Sequence, residues 1–467
     1  MPFYGPAPRT VDFQTVLQSF AQGPGLPFQD VLTAAHIEQV AAAEGVAFGA
    51  AAGSVYTVAV TLWAFLAQVL SKEKACLAAV ARVLVLRVSL GLPPCAEQTG
   101  AYCKARAKLP EHFLQRLTLD LGQAVERAAP AAWLWKDRHV FLADGSTLSM
   151  PDTRANQEAY PQPRSQRPGL GFPIARVVVL LALATAVLTG AAIGPYVGKN
   201  QGEPALLRTL LEQLQAGDVL LGDRYYASYW LVALAQARGI DVVFRQHQRR
   251  GYDFRRGLRL GPDDHVVVWL KPKRPAWLDE ATYLALPATL TVREVRTRVQ
   301  QRGCRVEELV VITTLLDAAR YHKDDITDLY HERWHVELDL RSIKTHLQMD
   351  ILRCKTPALI RKEIWTHLLA YNLTRQVMAH AARDHGIHPR GISFLGTVQT
   401  VNEFRLLCLQ ADADTHRQLV MRLFAAVVGH RVGDRPDRCE PRAVKRRPKP
   451  LRYLTKPRAE ARAELLH

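Results

Sequence analysis

Three acidic residues, Asp144, Asp223 and Glu337, stand where a polypeptide can put carboxylates to chemical use. Asp144 follows the apolar run VFLA, Asp223 follows VLLG, and Glu337 lies in a stretch of helical periodicity that also carries Tyr330, Arg333 and Lys344. Those four polar residues are separated by two, three and six others. At about 100° per residue they fall within an arc of roughly 60° on one helical face. Leu329, Val336, Leu340, Ile343 and Leu347 cluster beside that arc, so the helix can bury an apolar stripe while holding out an aromatic, two cations and a carboxylate. Adjacent strands lie about 4.8 Å apart, which lets two strand-borne aspartates converge while a helix packed across the sheet supplies a third ligand. Carboxylates with no Cys or His beside them favour Mg²⁺ or Mn²⁺ over zinc. Two such ions about 3.5 to 4 Å apart suit phosphoryl transfer, one activating a water or a 3′-hydroxyl and the other stabilising the leaving oxygen. The same residues also fit a plainer reading, a helix with a charged edge and aspartates that start turns after buried strands, as Asp317 does in the same context. Glu332 and Asp339, about 100 to 160° around the helix from the polar edge, are expected to face solvent.

The elements that would position these residues form an alternating pattern. VFLAD reads as a short strand ending in a turn, followed by a Pro-, Gly- and Arg-rich loop over 161–173 and an apolar hairpin from Ile174 to about Tyr196. Helical periodicity over 204–215 leads to the strand VLLGD, and a second helix over 228–237 leads to the strand IDVVF. After Phe244 some sixty residues are basic and broken by Pro and Gly, with alternating segments HVVVWLK and ATLTVREVRTRV that read as a β-rich insertion. ELVVITTLL then resumes the core and runs into the Tyr330 helix, with another helix over about 358–381. Strands alternating with helices imply a mixed sheet covered on both faces. Five segments follow: a helical N-terminal domain over 1–135, a core in two parts over 136–248 and 309–385, the basic insertion over 249–308, and a helical C-terminal region with a basic tail over 386–467.

Charge points to the partner. The 467 residues carry a formal +17, concentrated in two places: residues 245–305 hold 14 basic and six acidic residues, and residues 430–467 hold 12 and five. The first 70 residues have Arg9 as their only Lys or Arg. Positive charge gathered on two segments suits a polyanion, most simply nucleic acid, although a solvated basic surface has the same composition. Seven cysteines without a CxxC pair read as reduced packing residues of a cytoplasmic protein. The start from Met1 to Gly5 lacks the charged and apolar regions of a secretory signal. Residues 46–70 and 177–193 are apolar enough to suggest membrane spans, but their Gly, Ser, Thr and Gln content and the strand formers of the second suit a buried helix and a buried hairpin, so no membrane partner is expected.

Tyr330, Arg333, Glu337 and Lys344, spaced Tyr-(2)-Arg-(3)-Glu-(6)-Lys, match the signature of the DDE transposases named after insertion sequence four. DGSTLSMPDT around Asp144, VLLGDRYYASYW around Asp223, VITTLLD, and LYHERWHVELDLRSIKTHLQMDILRCKTP around Glu337 resemble that family's successive blocks in order, across about 140–375. The resemblance implies an α/β, ribonuclease H-like mixed-sheet core interrupted by the β-rich insertion. It implies a bacterial, nucleoid-associated enzyme that cuts a mobile element from double-stranded DNA and joins it elsewhere. Its partners would be the terminal inverted repeats and the target DNA, with a homodimer in the synaptic complex and DNA-end contacts from the N-terminal domain. Carried over, Asp144, Asp223 and Glu337 would bind two Mg²⁺ ions, or Mn²⁺ in their place. Arg333 and Lys344 would hold phosphates, and Tyr330 would brace the terminal nucleotides. Family members form a DNA hairpin by flipping a base onto a tryptophan of the insertion. Trp269 and Trp277, flanking Lys271, Lys273 and Arg274, are the candidates. Against this stand a related nuclease that cuts without joining, and a DNA-binding regulator whose carboxylates are inert.

Overall fold

A computed structural model describes residues 12–19, 33–51, 53–298, 308–433 and 453–465. In chain order its helices are α1 (Phe13–Gln18), α2 (Ala34–Ala43), α3 (Val58–Val69), α4 (Cys76–Ser89), α5 (Gly100–Lys108), α6 (Glu111–Arg127), α7 (Arg154–Ala159), α8 (Glu203–Leu210), α9 (Tyr229–Gln236), α10 (Glu280–Ala285), α11 (Lys323–His331), α12 (Trp334–Arg341), α13 (Pro357–Asp384), α14 (Phe394–Gln410), α15 (Ala413–Gly429) and α16 (Arg458–Ala463). The strands are β1 (Val140–Ser149), β2 (Ile174–Ala182), β3 (Leu188–Pro195), β4 (Val219–Gly222), β5 (Asp241–Arg245), β6 (Leu258–Gly261), β7 (Asp264–Leu270), β8 (Thr289–Arg298) and β9 (Glu308–Thr313). They fall into two compact units. One comprises 1–137, 184–189 and 339–432, and the other 138–183, 190–338 and 433–467.

The second unit carries nearly all of one nine-stranded sheet in the order β3-β2-β1-β4-β5-β9-β8-β7-β6. The pairs β1–β4 and β4–β5 are parallel, while β1–β2, β5–β9, β9–β8, β8–β7 and β7–β6 are antiparallel. The parallel strands sit in the middle, and their runs VFLA, VLLG and VVF are buried without alternation, as strands covered on both faces require. The basic insertion extends this sheet from β9 outward. β1 is longer than the sequence suggests: β2 pairs with it from Phe141 to Ser149, so Asp144 lies within the strand instead of at a turn.

The first unit is helical. Its α13 is 28 residues long, opens with Pro357 in the first turn, where no amide partner is needed, and is buried for most of its length against α6, α3, α14 and α15. Within the apolar stretch 46–70, Val58–Val69 form α3, every residue of which after Val58 is buried, while 177–193 lies in the β2–β3 hairpin. No helix of the described residues is long and apolar enough to cross a membrane. Cys76, Cys95, Cys103, Cys354 and Cys408 are free thiols; Cys304 and Cys439 lie outside the described residues. So does most of the basic tail.

Buried polar groups fix the hairpin turn, residues 184–189, within the helical unit. Asn372 Nδ2 donates to the Thr118 and Leu188 carbonyls at 2.9 and 2.8 Å, and its Oδ1 accepts from the Leu188 amide at 2.8 Å. Tyr371 donates to the Ala186 carbonyl at 2.7 Å. Removing a buried amide that satisfies three backbone groups strands their desolvated dipoles. Asn372→Ala is therefore expected to cost about 2–3 kcal/mol. A urea unfolding midpoint equal to the wild type would show that the turn is held by other contacts.

Two expectations about the Tyr330 helix need correction. It is not one helix: α11 ends at His331, residues 332–333 form a tight joint in which Arg333 N–H bonds the Tyr330 carbonyl at 3.1 Å, and α12 ends in a π-turn over Ser342–His346. The extra turn residues shift the angular spacing that a uniform helix would keep. Asp339, expected in solvent, is 1% exposed and bonds both Arg375 at 2.6 Å and Arg390 at 3.1 Å. Glu332 is exposed as expected, paired with His335.

Candidate active site

β1 and β4 run parallel with Val140, Phe141 and Leu142 opposite Val219, Leu220 and Leu221. Two more residues along each strand bring Asp144 opposite Asp223, at the C-terminal end of β4. Ligand sites of open α/β sheets gather beyond such strand ends. Each aspartate is oriented by its own backbone: Asp144 Oδ1 accepts from the Gly145 amide at 2.8 Å, and Asp223 Oδ1 accepts from the Tyr225 amide at 2.8 Å.

Arg333, at the α11–α12 joint, connects the helix to the strand. Its Nη2 donates to Glu337 Oε1 at 2.9 Å, and its Nη1 lies 3.9 Å from Asp144 Oδ2. Tyr330 is buried beside Arg333 and Arg245, within the field of Asp223, and burial pushes its hydroxyl pKa up to about 12. Asp144, Asp223, Glu337, Arg333 and Tyr330 thus share one neighbourhood. Lys344 sits half-buried in the π-turn, in the helical unit. On the insertion, Trp269 is buried in β7 with the Arg250 guanidinium 3.8 Å from its ring centre, and Trp277 is half-buried with Arg208 at 3.6 Å. Lys271 bonds the Leu286 carbonyl at 2.6 Å, Arg274 bonds the Leu278 carbonyl at 2.8 Å, and Lys273 is exposed.

Three residues of this neighbourhood escape a sequence reading: Arg245 at the end of β5, Glu203 at the start of α8, and Tyr226 after β4. Arg245 is one of 14 basic residues in its block, and nothing in its spacing distinguishes it. Glu203 follows Gly202 at the head of a helical run, a position where an acid is ordinary.

Burial pushes the Asp144 carboxyl pKa up to about 6; the Gly145 amide and Arg333 oppose that rise, and Asp223 and Glu203 add to it. Glu203 is raised as well, by burial and by Asp223, against Arg176. The folded chain therefore holds the Asp144 proton more tightly than the unfolded chain does. That contribution is fully present below about pH 4 and is lost as pH rises through about 6. In EDTA, Asp144→Asn is expected to stabilise the protein by about 2 kcal/mol at pH 8 and by little at pH 4. Urea melts at the two pH values check this, and an increment independent of pH would rule out a raised Asp144.

All the anionic donors are carboxylate oxygens, the chemistry hard divalent cations select. Their crowding is what such a cation relieves. Among the described residues, no three His, Cys, Asp or Glu side chains lie close enough to hold a metal in this conformation. The guanidinium of Arg333 is instead the positive partner of Asp144 and Glu337.

Asp144 lies in a mixed α/β sheet and Asp223 directly follows one of its strands, with Arg333 linking Asp144 to Glu337, and comparison with known proteins gives the family. Residues 135–373 match the family model described as the transposase DDE domain. The chain is 30% identical over 373 residues to the transposase InsG for insertion sequence element IS4 of Escherichia coli K12, covering 77% of this chain and 78% of that one. A shorter similarity, 36% over 61 residues, covers 13% of this chain and 16% of the putative transposase InsL for insertion sequence element IS186A of the same organism. The piggyBac transposase synaptic complex with hairpin DNA aligns over 89% of this chain and 86% of its own at a TM-score of 0.43 and 8% identity, too distant a likeness to bear on mechanism. The chain belongs to the DDE transposases of the IS4 family. It is a DNA transposase, an enzyme that cleaves and transfers DNA strands.

Proposed function

We propose that the sheet is a ribonuclease H-like core in which Asp144, Asp223 and Glu337 bind two Mg²⁺ ions, replaceable by Mn²⁺, and that excision passes through a DNA hairpin. The observation that carries this reading is Asp144 on β1 near Asp223, which follows the last residue of β4, the parallel neighbour of β1, with one guanidinium spanning Asp144 and Glu337. Bound there, the cations would lower the pKa of the attacking oxygen and stabilise the leaving one.

The chain's own residues position the DNA. Arg333 would exchange Glu337 and Asp144 for a phosphate of the element's end, releasing both carboxylates as the substrate arrives. Lys344 would hold a second phosphate, and Tyr330 would brace the terminal nucleotides. Water attacks phosphorus and the P–O3′ bond breaks, so the element's 3′-hydroxyl leaves and the flanking strand keeps a 5′-phosphate. That hydroxyl attacks the opposite strand, exchanging one P–O bond for another and closing the hairpin. Hydrolysis reopens it, and the same hydroxyl then attacks target DNA. Trp277, which keeps partial exposure, is the better placed of the two tryptophans to stack a flipped base once Arg208 moves aside, with Lys271, Lys273 and Arg274 along the backbone. Residues 1–135 would bind the inverted repeats, the basic tail within 430–467 would add backbone contacts, and two copies would pair the two ends beside the nucleoid.

The test uses the full chain, DNA bearing the element's ends, Mg²⁺ and a supercoiled plasmid. Denaturing gels should show a 3′ nick, then a hairpin, then plasmid insertion. Nicks without joined products would leave a nuclease, and insertion without hairpins would remove the hairpin step.

A further inference from the structure

We infer that Glu203, the first residue of α8, is a fourth metal-binding carboxylate of this site, beside Asp144 and Asp223. The inference rests on the reading of those aspartates as metal ligands and adds a residue to it. Glu203 is not held out into solvent like an ordinary acid at a helix start. Its side chain lies across Gly145, the residue after Asp144, so closely that a Cβ there would come within 2.4 Å of its carboxylate carbon and 2.6 Å of Oε1. A Cβ there would push that side chain aside. Placed so, Glu203 raises the proton affinity of Asp144 and feels Asp223 in return.

Tyr226 supplies an independent observation. Its ring packs under Gly222, where a Cβ would meet Cδ2 at 2.7 Å, and the residue is wholly buried. Its hydroxyl has no hydrogen-bond partner among the described residues. The charges acting on it most are Glu203, then Asp144, then Asp223. A buried hydroxyl left without a partner is destabilising. Within the field of three carboxylates, it is available to donate to one of them once the acids are drawn together. The helix dipole accounts for an acid at the first position of α8 but not for its seat on Gly145, nor for the orphan hydroxyl.

The test is Mn²⁺ titration of the full chain, with free Mn²⁺ read by electron paramagnetic resonance, alongside the Mg²⁺ concentration giving half-maximal nicking. Glu203→Gln should weaken binding of one ion by at least about tenfold and raise the Mg²⁺ requirement by a similar factor. Binding of end DNA in EDTA should not change. Glu203→Asp should recover part of the loss. Gly145→Ala, which displaces the flexible Glu203 side chain, should reproduce it, and the double variant Gly145→Ala/Glu203→Gln should be no worse than the poorer single variant. Mn²⁺ affinity and Mg²⁺ requirement within twofold of wild type in folded Glu203→Gln, or in Gly145→Ala, would overturn the assignment. If Asp144→Asn and Asp223→Asn also bind Mn²⁺ as wild type does, the failure lies with the metal-site reading itself.

Discussion

Glu337→Gln is expected to bind the element's ends and leave them uncut. The amide keeps the shape of the side chain and can still accept from Arg333 Nη2, so α12 has no reason to move. What it loses is the negative charge. Stabilisation by a divalent cation at a phosphoryl centre is worth several kcal/mol, so nicking in Mg²⁺ should fall by roughly 10³-fold or more. Affinity for end DNA should equal or exceed the wild type, because Arg333 is freed from an anionic competitor for phosphate. Gel-shift and denaturing-gel assays on the same substrate separate the two effects. Nicking at the wild-type rate would strip Glu337 of its role, whereas lost binding would show that the side chain organises the fold.

The split between what sequence reveals here and what it hides has physical causes. β4 and β5 are legible because buried parallel strands are continuous apolar runs that stop at turn residues, and Asp223 marks such a stop. β1 is legible only to Asp144. Its second half, GSTLS, has the composition of a turn and becomes strand because β2 offers nine consecutive partners, a long-range fact that local composition cannot carry. The Tyr330–Glu337 spacing suggests a single helix because angular arithmetic assumes uniform pitch. The joint at Arg333 and the π-turn after Arg341 both break that assumption.

The acidic site was legible in the same uneven way. Asp144 and Asp223 announce themselves by ending apolar runs, and Glu337 by its spacing from Arg333. Glu203 and Tyr226 carry no comparable signal. One is an acid at a helix start and the other sits in a short aromatic run, and only the close approach at Gly145 and Gly222 relates them to the aspartates. Glycine beside a buried acid is the trace such a contact leaves in sequence, and it is ambiguous with the needs of a turn.

Asp339 shows the cost of reading burial from angle alone, and it carries the second large effect. A carboxylate at 1% exposure, bonded to two guanidinium groups whose side chains are 6% and 9% exposed, is a buried acid shared by two buried cations. Truncating one member of such a cluster leaves the others desolvated and without their counter-charge, which costs about 3–5 kcal/mol. Asp339→Ala should therefore lower the urea midpoint sharply, and Asp339→Asn, which keeps one of the two acceptor oxygens without the charge, should lose less. Replacing Asp339, Arg375 and Arg390 together by apolar residues of similar size should recover much of the loss, because the desolvation of all three charges is then relieved. The helix that ends in this cluster also carries Glu337, two residues earlier, so nicking by Asp339→Ala should fall at temperatures where the chain is still folded. A single-variant loss below about 1 kcal/mol would mean that water reaches the two arginines, and the cluster would then be a surface pair in energetic terms despite its burial.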